Sequence, residues 1–156
     1  MSSRIDRRLA DLAIQLPEAP APAANYVPWV RTGDLVFVSG QVPFEDGRLA
    51  YQGTVGADLT RAQGEAAARA CALGVIAQVR AACGGDLDRV RRCVQIQGFV
   101  RSAPGFGEQP AVINAASNLM VDVFGDAGRH ARFAVGTNEL PFGVAVEIAA
   151  VFEIEG

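Results

Sequence analysis

At 156 residues, half of them hydrophobic and a fifth charged, the chain has the makeup of one globular domain able to bury a substantial core. Its net charge of −3 supplies no general attraction for nucleic acid or anionic lipid. Every basic residue except His130 is arginine, which excludes lysine Schiff-base chemistry and a P-loop lysine.

Ile5, Leu9 and Leu12 stand at helical spacing after Ser2 or Ser3, predicting a short amphipathic helix over Ser3 to Ile14. Residues Leu16 to Ala24 carry Pro17, Pro20 and Pro22 among alanines, a semi-extended connector. Tyr26 to Arg31 reads as an edge strand, since Pro28 has no N–H for a ladder. After the Thr32-Gly33-Asp34 turn, Leu35 to Val38 is a buried strand ending at Ser39-Gly40-Gln41. Asp46-Gly47 is a hairpin signal, with a short strand expected around Arg48 to Tyr51. Asp58-Leu59-Thr60 caps a long, alanine-rich helix that runs to about Ala82 and closes at Gly84-Gly85. Asp86 to Arg89 is a capped turn. The run Val90 to Val100 is a strand, with Gly98 as a bulge or a close-approach point. Pro110 marks a helix start, and Ala111 to Phe124 carries apolar residues at helical spacing up to Gly125. Two β-branched runs, Arg129 to Val135 and Val144 to Ile148, flank the Pro/Gly turn at Asn138 to Gly143 and predict a closing hairpin.

Strands segregated from only two long helices predict an α+β layer architecture, a single domain over 1–156 with 1–24 as helix and connector. Two helices cover one sheet face, and an apolar second face calls for a symmetric oligomer. The charged start (Arg4, Asp6, Arg7, Arg8) is unlike a signal peptide, and nothing approaches the ~20 apolar residues of a membrane span. A cytoplasmic protein is expected. Cys71, Cys83 and Cys93 show no paired spacing, so neither a disulfide framework nor a zinc site is indicated.

The polar residues left at strand ends and helix faces are Tyr26, Ser39, Gln41, Asn114, Arg132 and Glu147. Arginine offers a planar fork for a carboxylate, and a buried glutamate can activate water or move protons. Arg132 and Glu147 sit in apolar runs where an unpaired charge is costly, so each needs a partner. That partner is either a ligand or the other residue, in a structural ion pair. By ordinary exposure and turn statistics, Tyr26 is a rim aromatic, Asn114 a solvated helix residue, Ser39 and Gln41 turn residues, and His130 a surface residue.

Several of these residues together resemble the Rid family of reactive intermediate deaminases, also called YjgF-like or L-PSP proteins. The carriers are Tyr26 with Val38-Ser39-Gly40-Gln41, the helix start Val112-Ile113-Asn114, Ala131-Arg132, Leu140-Pro141 and Val146-Glu147-Ile148, spread from Tyr26 to Glu153. The likeness is to a divergent branch. Ala134 replaces a cysteine common in the family, Ala149 replaces a second glutamate, and one extra residue lies between Asn114 and Arg132. The resemblance implies a chorismate-mutase-like fold assembled as a homotrimer with interface clefts. It also implies hydrolysis of 2-imino acids, or their enamines, to 2-keto acids and ammonia. Arg132 would bind the substrate carboxylate and Glu147 would position water, with Tyr26, Ser39, Gly40 and Asn114 lining the pocket. No metal or organic cofactor, nucleic acid or membrane partner is implied. The alternative is a non-catalytic small-molecule-binding or regulatory trimer of the same fold.

Overall fold

The computed structural model describes residues 2–19, 21 and 24–156. Pro20, Pro22 and Ala23 of the expected connector lie outside the described residues. The element order is α1 (Arg4–Asp11), β1 (Trp29–Thr32), β2 (Leu35–Gln41), β3 (Phe44–Glu45), β4 (Arg48–Leu49), α2 (Arg61–Ala82), β5 (Val90–Arg101), α3 (Gln109–Phe124), β6 (Ala131–Thr137) and β7 (Val146–Ile154). The large sheet runs β1-β2-β7-β5-β6, and β3-β4 is a separate hairpin. Only β5 and β6 pair in parallel.

Local chemistry explains most boundaries. Ser3 and Asp6 form a capping box at the start of α1, and Thr60 and Gln63 form one at the start of α2. Helix α1 stops at Asp11 rather than Ile14 because Ala13 turns left-handed (φ 56°). Ala13 N then donates to Ala10 O and Ile14 N to Leu9 O, a Schellman closure. Gly84 and Gly85 close α2 with the same two bonds, to Ala81 O and Arg80 O. Asp46 and Gly47 both take positive φ, the turn that a two-residue hairpin requires. Strand β1 starts at Trp29 rather than Tyr26, since Pro28 can accept from Ser39 N (2.9 Å) but cannot return a bond.

The closing hairpin does not form. Strand β6 lies on the outer edge of β5, while β7 enters between β2 and β5. Placed there, β7 satisfies a ladder on each side and β5 is paired on both of its edges. An edge hairpin would have left one of those ladders unmade.

Helices α2 and α3 cover one face of the sheet. Val36, Val38, Ile96, Val100, Val146, Ile148 and Phe152 point into a core shared with Ala67, Cys71, Val75, Val112, Ala116 and Leu119. Gly98 is the close-approach point: a Cβ there would fall 2.7 Å from Ile113. The register irregularities of β5 lie instead at Val90/Arg92 and Cys93/Gln95. No helix among the described residues is long and apolar enough to cross a membrane.

Candidate functional site

The polar residues singled out in the sequence separate into two groups, on opposite faces of the sheet. Glu147 pairs in register with Phe99 and alternates with the buried Val146 and Ile148, so it stands on the face that the helices leave open. Its carboxyl lies over Gly40. A Cβ on Gly40 would come within 2.8 Å of Glu147 Oε1, and the backbone there has ordinary negative φ, so a side chain at this position would push the carboxyl aside. The bulge at Ser39-Gly40, between the register positions Val38 and Gln41, brings that backbone in. Ser39 Oγ donates to Val27 O at 2.7 Å and ties the Tyr26–Pro28 segment to the same end of β2. Tyr26 is 54% exposed there. Burial alone raises the pKa of Glu147 above the usual carboxylate range. Among the described residues the Glu147 carboxyl makes no hydrogen bond or ion pair.

The second group sits under α3. Arg132 pairs in register with the buried Ile96, so it faces the helices from the edge strand β6. Its Nη1 donates to Ser117 Oγ at 3.1 Å and its Nη2 to Pro110 O at 3.3 Å. Pro110, Asn114 and Ser117 follow one another at i, i+4 and i+7, a single stripe of α3, and Asn114 is exposed on it. The Arg132–Glu147 ion pair is therefore absent within one protomer: the two side chains leave the sheet in opposite directions.

Two residues of this group were not among the sequence candidates. His130 is no bystander. Its Nδ1 meets Gly128 O at 2.6 Å and its Nε2 meets Ser117 Oγ at 2.8 Å. Ser117 has a signal in the sequence, three residues past Asn114 on the same helical stripe. His130 has only its place two residues before Arg132, which gives no orientation.

Gln41 is buried on the helix side, where its Nε2 donates to Ser39 O at 3.0 Å. It borders a cavity of about 890 Å³ between residues 15–19, the β3-β4 hairpin and α2, lined by Leu16, Phe44 and Leu73 and by neither Arg132 nor Glu147. The three cysteines are buried thiols. Burial, and secondarily the charge of Glu147, pushes Cys71 well up, and burial pushes Cys93 up to about 12, so neither offers a thiolate. Among the described residues no three His, Cys, Asp or Glu side chains stand close enough together to hold a metal ion.

Arg132 can bind an anion and Glu147 can hold a proton or a water, each on its own face. The chain matches the family described as "YjgF/chorismate_mutase-like, putative endoribonuclease" over residues 6–152. It is 52% identical to the protein TCP17 of Trypanosoma cruzi over 154 residues, covering 98% of this chain and 96% of that one. A protein of unknown function from Agrobacterium tumefaciens superposes with a TM-score of 0.91 at 50% identity, over 97% of this chain and 92% of its own. The E. coli protein TdcF, in a structure with bound serine, superposes with a TM-score of 0.63 at 25% identity, over 89% and 94%. The chain thus belongs to the YjgF/chorismate-mutase-like family and has its mixed α+β fold.

Proposed function

We propose that this protein hydrolyses 2-imino acids, or their enamine tautomers, to 2-keto acids and ammonia, at clefts between the subunits of a homotrimer. The observation that carries the reading is Glu147: a half-buried carboxyl without a hydrogen-bonding partner, inclined to hold a proton, and seated over a glycine cleared of side-chain bulk. A carboxyl whose pKa is raised by burial is the kind of group that general acid–base catalysis uses. Arg132 anchors the substrate carboxylate through its fork. Water held by Glu147 adds to the C=N carbon and gives up a proton to the carboxylate. Glu147 delivers that proton to nitrogen to give a carbinolamine. It then takes the carbinol hydroxyl proton and passes it to nitrogen as the C–N bond breaks, so that ammonia leaves as the keto group forms. The free imine already reacts with water, so positioning and one acid–base group are sufficient.

The same geometry supports a shared site. Arg132 and Glu147 leave opposite faces of the sheet, so one ligand would take Arg132 from one subunit and Glu147 from another, in the homotrimer that the family resemblance implies. Tyr26, Ser39 and Gly40 enter from the Glu147 side and Asn114 from the Arg132 side. The bound serine of TdcF supports the substrate class, since an amino acid shares its carboxylate and its nitrogen on the adjacent carbon with an imino acid. An endoribonuclease role draws no support from a chain with net charge −3.

The test is ammonia release from 2-iminopropanoate, generated in situ by an amino-acid oxidase. Wild type accelerates release, and Arg132→Ala loses about 100-fold or more, the scale of a lost charged anchor. A wild type with no acceleration, although it binds carboxylates, replaces the deaminase with a non-catalytic small-molecule-binding trimer.

A further inference from the structure

A chain of three hydrogen bonds runs from the backbone to the proposed carboxylate anchor, and the deaminase reading uses only its last member. The Gly128 carbonyl can only accept, so a neutral His130 carries its hydrogen on Nδ1 and presents the lone pair of Nε2. Ser117 O–H then donates to that lone pair at 2.8 Å. The Ser117 oxygen still has lone pairs to offer, and Arg132 Nη1 donates to it at 3.1 Å. With the imidazole neutral, each donor and acceptor in the chain has one assignment, and the order fixes its polarity from guanidinium to hydroxyl to imidazole to carbonyl.

A serine inside a helix ordinarily returns its hydroxyl to the carbonyl four residues back. Ser117 instead reaches sideways to two residues of the segment leading into and along β6, thirteen and fifteen positions away. Its polar contacts are therefore tertiary, one to His130 and one to Arg132. A guanidinium on a long, rotamer-rich stem binds a carboxylate better when its direction is settled beforehand. The Pro110 carbonyl settles one end of the fork and Ser117 settles another.

We propose that Ser117 and His130 are positioning residues for Arg132, a relay that holds the guanidinium ready for a carboxylate and senses its arrival. The proposal rests on Arg132 as the carboxylate anchor; it does not require that the bound molecule be turned over. Because Arg132 polarises the Ser117 hydroxyl, the hydrogen bond onto His130 Nε2 is strengthened while the relay is intact. A carboxylate on the fork draws the guanidinium toward itself, and the change passes to the imidazole nitrogen.

The experiment titrates 2-oxobutanoate, a keto-acid product of the proposed reaction, into wild type, Ser117→Ala, Ser117→Thr, His130→Phe and His130→Gln. It follows heat of binding and the 15N resonances of the His130 ring, with ammonia release measured on the same samples. Ser117→Ala and His130→Phe bind about 10-fold more weakly, in line with a lost hydrogen bond to a charged group. Ser117→Thr keeps the hydroxyl, and His130→Gln keeps an acceptor near the place of Nε2, and both recover most of the affinity. In wild type the Nε2 resonance shifts with the same saturation curve as the heat. Binding by Ser117→Ala within twofold of wild type, or a ring resonance unmoved at saturation, overturns the relay. A wild type that binds the keto acid but releases no ammonia removes the deaminase reading and leaves the relay standing. A wild type that binds no carboxylate at all overturns both.

Discussion

Glu147 is a charge that the sheet tolerates at a cost, and the cost has a sign that can be measured. Burial raises its pKa, so the folded chain keeps the proton to higher pH than the unfolded chain does. Between the ordinary glutamate range and the raised value the folded state binds more protons, and stability falls as pH rises through that window. Glu147→Gln escapes this penalty. Its urea midpoint exceeds that of wild type at pH 7, and the difference closes as pH drops to and below the usual glutamate range, while activity falls by about 10²–10⁴-fold. A midpoint difference independent of pH would remove burial as the cause. The residue itself was legible, since a glutamate inside Val-Ala-Val-Glu-Ile-Ala is conspicuous by pattern. Its face and its freedom from Arg132 were not, because alternation says that neighbours point oppositely and not which face the helices cover. Ser117 and His130 escaped for a related reason: a hydrogen bond across thirteen residues leaves no periodicity to read.

At the scale of elements, α1 shows how a short helix with little stability of its own is held. Ile5 and Leu9 are buried, Arg8 Nε donates to Asp122 O at 2.7 Å, and Asp6 pairs with Arg80 at 3.1 Å. Asp88, in the turn before β5, accepts the amides of Arg4 and Ile5 at 2.8 Å each, supplying from a distant segment the acceptors that a helix start lacks. Partial burial of Asp88 opposes its charge, but the two amides and the nearby Arg4 and Arg7 prevail and hold its pKa below the usual range. The stability it lends is present above the ordinary aspartate range and is lost as pH falls through the lowered value. Protection of the α1 amides against hydrogen exchange, taken relative to the intrinsic rate at each pH, therefore falls in acid before the sheet opens, and Asp88→Asn shows reduced protection already at pH 7. Equal protection of α1 in both proteins would refute the docking role. Among the strands, Gly98→Ala places a methyl against Ile113 and lowers stability by about 1–3 kcal/mol, read from the denaturant midpoint. Helix spans, caps and the Asp46-Gly47 turn were readable because each rests on contacts within a few residues. The pairing of β7 was not, because a run of apolar residues suits a central strand and a hairpin arm equally.

At the scale of the whole molecule, the described residues leave one sheet face uncovered. Val30, Leu35, Phe37, Phe133 and Val135 on that face are 37–52% exposed, and Phe133 stacks edge-on against Phe99, the register neighbour of Glu147. An apolar sheet face of this kind beside a half-buried carboxyl is what the proposed trimer would cover. Phe37→Glu places a charge in the middle of it. The variant is expected to elute as a folded monomer in light scattering, with ammonia release lost because Glu147 and Arg132 no longer meet. A monomer with full activity would show that one protomer suffices. The α+β class, the two long helices, their caps, and the suspicion attached to Arg132 and Glu147 were determined by the sequence alone, because periodicity, turn chemistry and misplaced charge are local properties. Only the tertiary structure decided that β7 lies between β2 and β5, that Arg132 and Glu147 leave opposite faces, and that Ser117 bonds both Arg132 and His130. Those facts depend on which strands pair and which face the helices cover, choices made by burying the whole apolar surface at once.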